Sequence, residues 1–302
     1  IANALDHIPP PTQKGVFAYG STSGVVSLKN LLGSNGVIAA DVTGVGTARQ
    51  QIGATSYGGD KAIFAYGYTG GYVNMSNLVN TSGVIAADVT GVGTARYKVA
   101  AARFGGDKGI FAYGMKGGDA LTNVSNLVSN SGVVATDATG VGTARVITAG
   151  VGYGGDKAIF AFGNSASAGD YSLKNLVSNT GVIGSDVTGV GTARGALAAV
   201  SYGVGLAIYT YGIDAAGTYY TVRNLVSNVG VVAADASGAG TGRSFLAAAA
   251  YGGDKGAIAY GTTGTKVSTK NLVSNTGVVA ADVSGVGTAR STLAGAGYSQ
   301  SA

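Results

Sequence analysis

One phrase, Gly-Val-Gly-Thr-Ala-Arg or a close variant, ends at Arg49, Arg96, Arg145, Arg194, Arg243 and Arg290, at intervals of 47, 49, 49, 49 and 47 residues. A fixed period of this length restricts a chain to solenoids, propellers or other arrays whose units bury their apolar faces against one another. Two further markers keep the spacing: Asp41, Asp88, Asp137, Asp186, Asp235 and Asp282, and Asn30, Asn77, Asn126, Asn175, Asn224 and Asn271. Six copies of one unit account for nearly all of the 302 residues.

Each unit reads as β-structure. In one copy, strand candidates run from Tyr97 to Phe104, Gly109 to Tyr113, Leu121 to Val128 and Gly132 to Asp137. Each is rich in Val, Ile, Tyr, Phe or Ala and bounded by Gly, Asn, Ser or Asp. Four strands in such a unit match one blade of a β-propeller. Runs such as Val133-Val134-Ala135 are apolar on both faces, as in a sheet sandwiched between two others. Alanine-rich first strands, such as Ala247-Ala248-Ala249, suit a crowded inner edge. The expectation is an all-β fold: a six-bladed β-propeller with four antiparallel strands per blade.

The two ends complement each other. The chain enters at a second strand (Lys14 to Tyr19) and leaves after a first strand (Ser291 to Tyr298). Pairing the C-terminal strand, as the inner strand, with the N-terminal strands would close the ring and remove an exposed edge. The domain reading is an extended N-terminal arm over 1–13, holding the run Pro9-Pro10-Pro11 and the single His7, followed by the propeller over 14–302. The arm is a candidate contact for symmetric assembly. The chain starts at Ile1 without an initiator Met, which suggests a processed form or a start inside a longer product, and no signal-peptide pattern is visible.

The order Thr-Ala-Arg, an Ala-rich strand, Gly-Gly-Asp-Lys, Ala-Ile-Phe-Ala-Tyr-Gly and then Asn-Leu-Val resembles the Kelch repeat of β-propellers over most of the chain. Near-identical copies worded Gly-Gly-Asp-Lys-Ala-Ile-Phe-Ala-Tyr-Gly and Asn-Leu-Val-Ser-Asn resemble repeat proteins encoded by tailed bacteriophages, often of aquatic hosts. That resemblance implies a virion protein associated with a capsid, tail or fibre, located in the extracellular particle and partnered by other virion or structural proteins.

Composition narrows the chemistry. There is no Cys, no Glu and one His, so most catalytic constellations and thiolate metal sites lack their residues. No apolar run approaches the roughly 18 residues of a membrane helix, and no membrane span is expected. A net charge of +5 is spread once per repeat without a basic cluster, so no nucleic-acid partner is expected.

Gly44-Val45-Gly46-Thr47-Ala48-Arg49 has the look of a phosphate loop, but it lacks the Lys-Ser/Thr and the βαβ context and recurs six times, so it reads as a turn. The recurring Asp reads as a turn residue bonding to nearby backbone N–H, because one or two carboxylates per repeat are too few for calcium. The recurring Arg reads as a partly buried, hydrogen-bonded contact between blades, held through an Asp. Neither cofactor nor metal is expected, and the chain is read as no enzyme. Glycoside hydrolysis usually needs a carboxylate pair, and the unique carboxylates Asp119, Asp170 and Asp214 fall in loops of different blades.

Function is sought in the segments between second and third strands, where the copies differ most: Ser21 to Lys29, Tyr68 to Ser76, Met115 to Ser125, Asn164 to Lys174, Ile213 to Arg223 and Thr262 to Lys270. All six follow the same strand and should emerge on one face, and variable loops on a rigid scaffold are where binding is built. Tyr68, Tyr72, Lys116, Asp119, Asp170, Tyr171, Tyr219 and Tyr220 are the candidate contacts. The leading expectation is a non-catalytic interaction module of a virion. The alternative is a carbohydrate-binding propeller recognising a host-surface glycan.

Overall fold

The computed structural model describes residues 11–165 and 169–302, which leaves His7, Pro9, Pro10 and most of the expected N-terminal arm outside the described residues. The described chain is all-β. It has no α-helix and one 3-10 turn, Gly117–Asp119.

Among the described residues six three-stranded antiparallel sheets repeat along the chain, beside one smaller three-stranded and one two-stranded sheet. The second sheet shows the pattern. An inner strand, Gly53–Tyr57, pairs with a middle strand, Lys61–Tyr68, which pairs with an outer strand, Tyr72–Val79. The inner-to-middle turn spans three residues, and Gly58 (φ 61°) and Gly59 (φ 79°) take the left-handed conformation that lets the chain reverse so tightly. The third to sixth sheets repeat this with inner strands Ala100–Phe104, Ala149–Tyr153, Ala198–Tyr202 and Ala247–Tyr251. In the first sheet the C-terminal Ala294–Tyr298 is the inner strand. It pairs antiparallel with Lys14–Ala18, register Lys14 to Tyr298, and Lys29–Leu32 lies on the other side. Many small antiparallel sheets so arranged are consistent with a β-propeller.

The expected fourth strand is not a continuous ladder. Leu32 bridges Ile38 and Lys29 bridges Val42, so the outermost segment has one residue more than the strand it faces. The same two bridges, with the same extra residue, recur in every sheet. Such a bulge breaks regular pairing. Asn30 fills the gap: its Nδ2 donates to the Ala39 carbonyl at 3.0 Å and to Asp41 Oδ1 at 2.9 Å.

Other strand limits also shift. The expected strand from Tyr97 begins only at Ala100, because Lys98 is left-handed (φ 57°) and Tyr97 belongs to a short strand, Arg96–Tyr97. The expected strand from Leu121 splits into Ala120–Leu121 and Ser125–Val128.

The core is divided. Six apolar clusters each fill the space between two consecutive sheets, as with Val16, Phe64 and Ala296 between the first and second. One cluster, with Phe17, Leu32, Ala249 and Tyr260, joins the sixth sheet to the first. Edge-to-face aromatic pairs cross several of these interfaces, including Tyr19 with Phe64 and Tyr113 with Phe160. Each such pair contributes about 0.5–1.5 kcal/mol beyond area burial. Inner strands approach one another closely: a Cβ added at Gly150 would lie 2.5 Å from the Ala101 carbonyl oxygen. Alanine and glycine dominate these strands because little else fits.

Backbone bonds link successive sheets at one end. The Gly58, Gly105, Gly154 and Gly203 N–H groups donate to the carbonyls of Asp107, Asp156, Gly205 and Asp254 in the next sheet. At the chain ends Gly252 N–H donates to Gln13 O, and Ser299 N–H donates to Asp60 O.

Candidate functional site

The recurring Arg, Asp and Asn form one device at every sheet-to-sheet junction. Arg49 is fully buried. Its Nε donates to the Tyr66 carbonyl at 2.9 Å, its Nη2 to Asn77 Oδ1 at 2.6 Å and its Nη1 to the Thr47 carbonyl at 3.2 Å. The guanidinium lies 4.3 Å over the Tyr19 ring of the preceding sheet. Asp88 receives the Thr47 hydroxyl at 2.6 Å and the Thr47 N–H at 3.0 Å. Thus the loop leaving one sheet is anchored to the carboxylate of the next.

Arg96, Arg145, Arg194 and Arg243 repeat the geometry on Asn126, Asn175, Asn224 and Asn271, with Asp137, Asp186, Asp235 and Asp282 beside them. Arg290 bonds to Asn30 and the Tyr19 carbonyl of the first sheet, stacks on Tyr260 of the sixth, and has Thr288 bound to Asp41.

Two details depart from the sequence reading. The Asp carboxylates accept from a Thr 41 or 43 residues away in five junctions and 247 away in the sixth, instead of from their own turn. Arg Nη1 also stays 3.7–3.9 Å from the carboxylate, with Asn supplying the direct bond.

The middle strands end on aromatic residues at positive φ, among them Tyr19, Tyr66, Tyr113 and Phe162. Non-glycine residues rarely adopt that conformation. Here it turns the carbonyl toward Arg Nε, a contact sequence reasoning did not anticipate.

The electrostatics follow from this packing. For Asp88 partial burial, the largest single influence, pushes the carboxyl pKa up. The bonds from Thr47 and Asn77 and the charge of Arg49 together outweigh it, so the group lies below its usual range. The same balance holds at the other five aspartates. Burial lowers Arg194 to about 10, with Asp235 opposing, and it remains charged at neutral pH. These groups are committed to structure.

The variable loops lie at the opposite end from the Gly-Gly-Asp-Lys turns, and among the described residues hydrogen bonds join adjacent loops at three junctions. Tyr72 donates to Asp119 Oδ1 at 2.6 Å, the Ala215 N–H donates to Asp170, and Lys266 Nζ donates to Ser21 Oγ at 3.2 Å. Of the candidate contacts, the structure brings Tyr68, Tyr72 and Asp119 together. Tyr97, which sequence reasoning missed, completes the group: the ring centroids of Tyr68, Tyr72 and Tyr97 stand 5.3–5.9 Å apart pairwise. Lys98 Nζ lies 5.1 Å from the Tyr97 ring, and Tyr97 Oη donates to Met115 Sδ at 3.2 Å. The bond to Asp119 raises the Tyr72 phenol, and burial lowers the Lys98 ammonium. Tyr97 escaped notice because it stands three residues before an apolar strand and reads as part of it.

The remaining candidates do not join this cluster. Lys116 is exposed on the short strand beside Arg96. Asp170 accepts from Asn164 at 2.9 Å, and Tyr171 donates to Ser165 Oγ at 3.2 Å. Tyr220 donates to Asp214 at 2.7 Å, while Tyr219 bridges Ile213. The hydrogen bond from Tyr220, the largest influence, holds the Asp214 carboxyl below its usual range, the opposite of what a general acid needs. Among the described residues no group of three His, Cys, Asp or Glu side chains could hold a metal ion, and no helix is long and apolar enough to cross a membrane. No protein-family model and no curated protein sequence matches the chain.

Proposed function

We propose that the chain is a six-bladed β-propeller acting as a non-catalytic interaction module, a structural protein of a virion that meets its partner through the loop face. Support for the ring comes from three repeating sets: the apolar clusters, the Arg junctions and the turn-to-turn backbone bonds each run through six sheets and return from the sixth to the first.

One observation carries the functional reading. The Tyr68–Tyr72–Tyr97 cluster occupies a single junction, whereas the scaffold beneath it repeats six times. Scaffold geometry does not require it. Tyrosines with apolar faces and polar tips suit a contact surface at low entropic cost. The virion placement rests on the wording of the repeats.

Immunogold electron microscopy of particles from the native source tests it. Label on the particle surface, with Tyr68→Ala plus Tyr97→Ala weakening incorporation, is the expected result. Protein found only free of particles would refute it.

The same cluster favours a second reading, carbohydrate binding, because aromatic rings beside a carboxylate (Asp119) offer a sugar both stacking and hydrogen bonding. Glycan-array binding lost in that double variant would favour this reading over the first.

A further inference from the structure

The six inner strands line one cavity of about 590 Å³, within the size range of small-molecule sites. The fourth residues of these strands are Ser56, Arg103, Gly152, Ser201, Ala250 and Gly297. Five are small. Where the position carries a hydroxyl, it is satisfied on the neighbouring strand: Ser56 Oγ donates to the Gly297 carbonyl at 2.6 Å and Ser201 Oγ to the Gly152 carbonyl at 2.8 Å.

Arg103 breaks the pattern. It lines the cavity, and no carboxylate does so among the described residues. Burial lowers its guanidinium pKa, with Asp107 opposing at a distance. Its head makes no hydrogen bond or ion pair with another described side chain, in contrast to the six junction arginines, each of which makes three hydrogen bonds to protein acceptors. The guanidinium is half-buried at the cavity, and its five N–H donors are not taken up by any described residue. The fold does not need it, since Gly, Ala or Ser serves at the five equivalent places. Small neighbours leave room for a guest beside it.

We infer that this cavity is a binding site for a small oxyanion, a carboxylate or phosphate group gripped by the planar fork of Arg103. Guanidinium pairs bidentately with such groups, which gives both strength and orientation. The site is independent of the loop face: it lies among the inner strands and uses none of the loop-face tyrosines Tyr68, Tyr72 and Tyr97.

The test is isothermal titration of the full chain and of Arg103→Ser with inorganic phosphate and with benzoate, at fixed ionic strength and pH 7. Serine is chosen because two sheets already carry it at this position. At least one of the anions should bind the unaltered chain with unit stoichiometry, and Arg103→Ser should weaken it by about tenfold or more. Arg103→Lys, which keeps the charge but loses the fork, should fall between them. Absence of binding by either anion, equal affinity in Arg103→Ser, or failure of Arg103→Ser to fold would each overturn the inference, the last by showing the side chain to be structural.

Discussion

Replacing one junction arginine tests how the sheets are held together. Arg145 is fully buried between the third and fourth sheets. In Arg145→Ala the Phe162 carbonyl and Asn175 Oδ1 lose donors at 2.9 and 2.7 Å, and the Tyr113 ring loses a cation 4.2 Å away. A buried acceptor left unmet costs about 1–3 kcal/mol. Breaking a buried charged network by removing one partner costs about 3–5 kcal/mol. These effects overlap, so the expected loss is about 4 kcal/mol.

With an unfolding entropy of about 2.1 cal/mol/K per residue, a chain of this length loses about 6 °C in Tm if it melts as one unit. Differential scanning calorimetry should show this beside a control, Lys157→Ala. Lys157 also makes an ion pair, 3.0 Å from Asp156, but with 46% of its side chain exposed. The control should cost only about 0–1 kcal/mol. Equal shifts for the two variants would refute the assignment of stability to the buried arginines.

Acid should undo the same junctions. Each recurring Asp has a folded pKa below its unfolded value of about 3.9, so its stabilisation is complete above that value and is lost as pH falls through the folded pKa. Tm should be nearly flat from about pH 7 to 5 and drop below about pH 4, with a shallower drop in Asp88→Asn; a Tm unchanged down to pH 2 would contradict this. Deleting Ser291–Ala302 removes the inner strand beside Lys14–Ala18 and should unfold or oligomerise the chain, as read by size-exclusion chromatography and melting; a monomer with unchanged Tm would count against the pairing. Gly150→Val drives a side chain into the Ala101 carbonyl and should cost about 1–3 kcal/mol in chemical denaturation, whereas no loss would mean the inner strands are looser than they stand.

Much of the scaffold was legible because the repeat samples one environment six times. Alternation and turn residues located the inner and middle strands to within a few positions, and the complementary chain ends foretold the pairing of Ala294–Tyr298 with Lys14–Ala18. What failed to show was tertiary. The bulge opposite Asn30 is set by a side chain reaching back to Ala39, and no local propensity encodes that. The partner of each Asp stands in the preceding repeat, so the turn chemistry around Asp88 could not point to Thr47.

The loop face was legible only as variability. Tyr68, Tyr72 and Asp119 come from two repeats and meet because neighbouring loops lean together. Tyr97 joins them because left-handed Lys98 detaches it from the strand that follows. Arg103 was hidden by its place in an otherwise ordinary strand; comparison with Ser56, Gly152, Ser201, Ala250 and Gly297 is the signal that exposes it.

A crystal structure of the full chain tests the proposed ring most directly. Six sheets about one axis, with Tyr298 opposite Lys14 and Arg290 seated on Asn30 of the same molecule, is the expected result. An open stack, a different number of sheets, or a C-terminal strand donated to another molecule would contradict it.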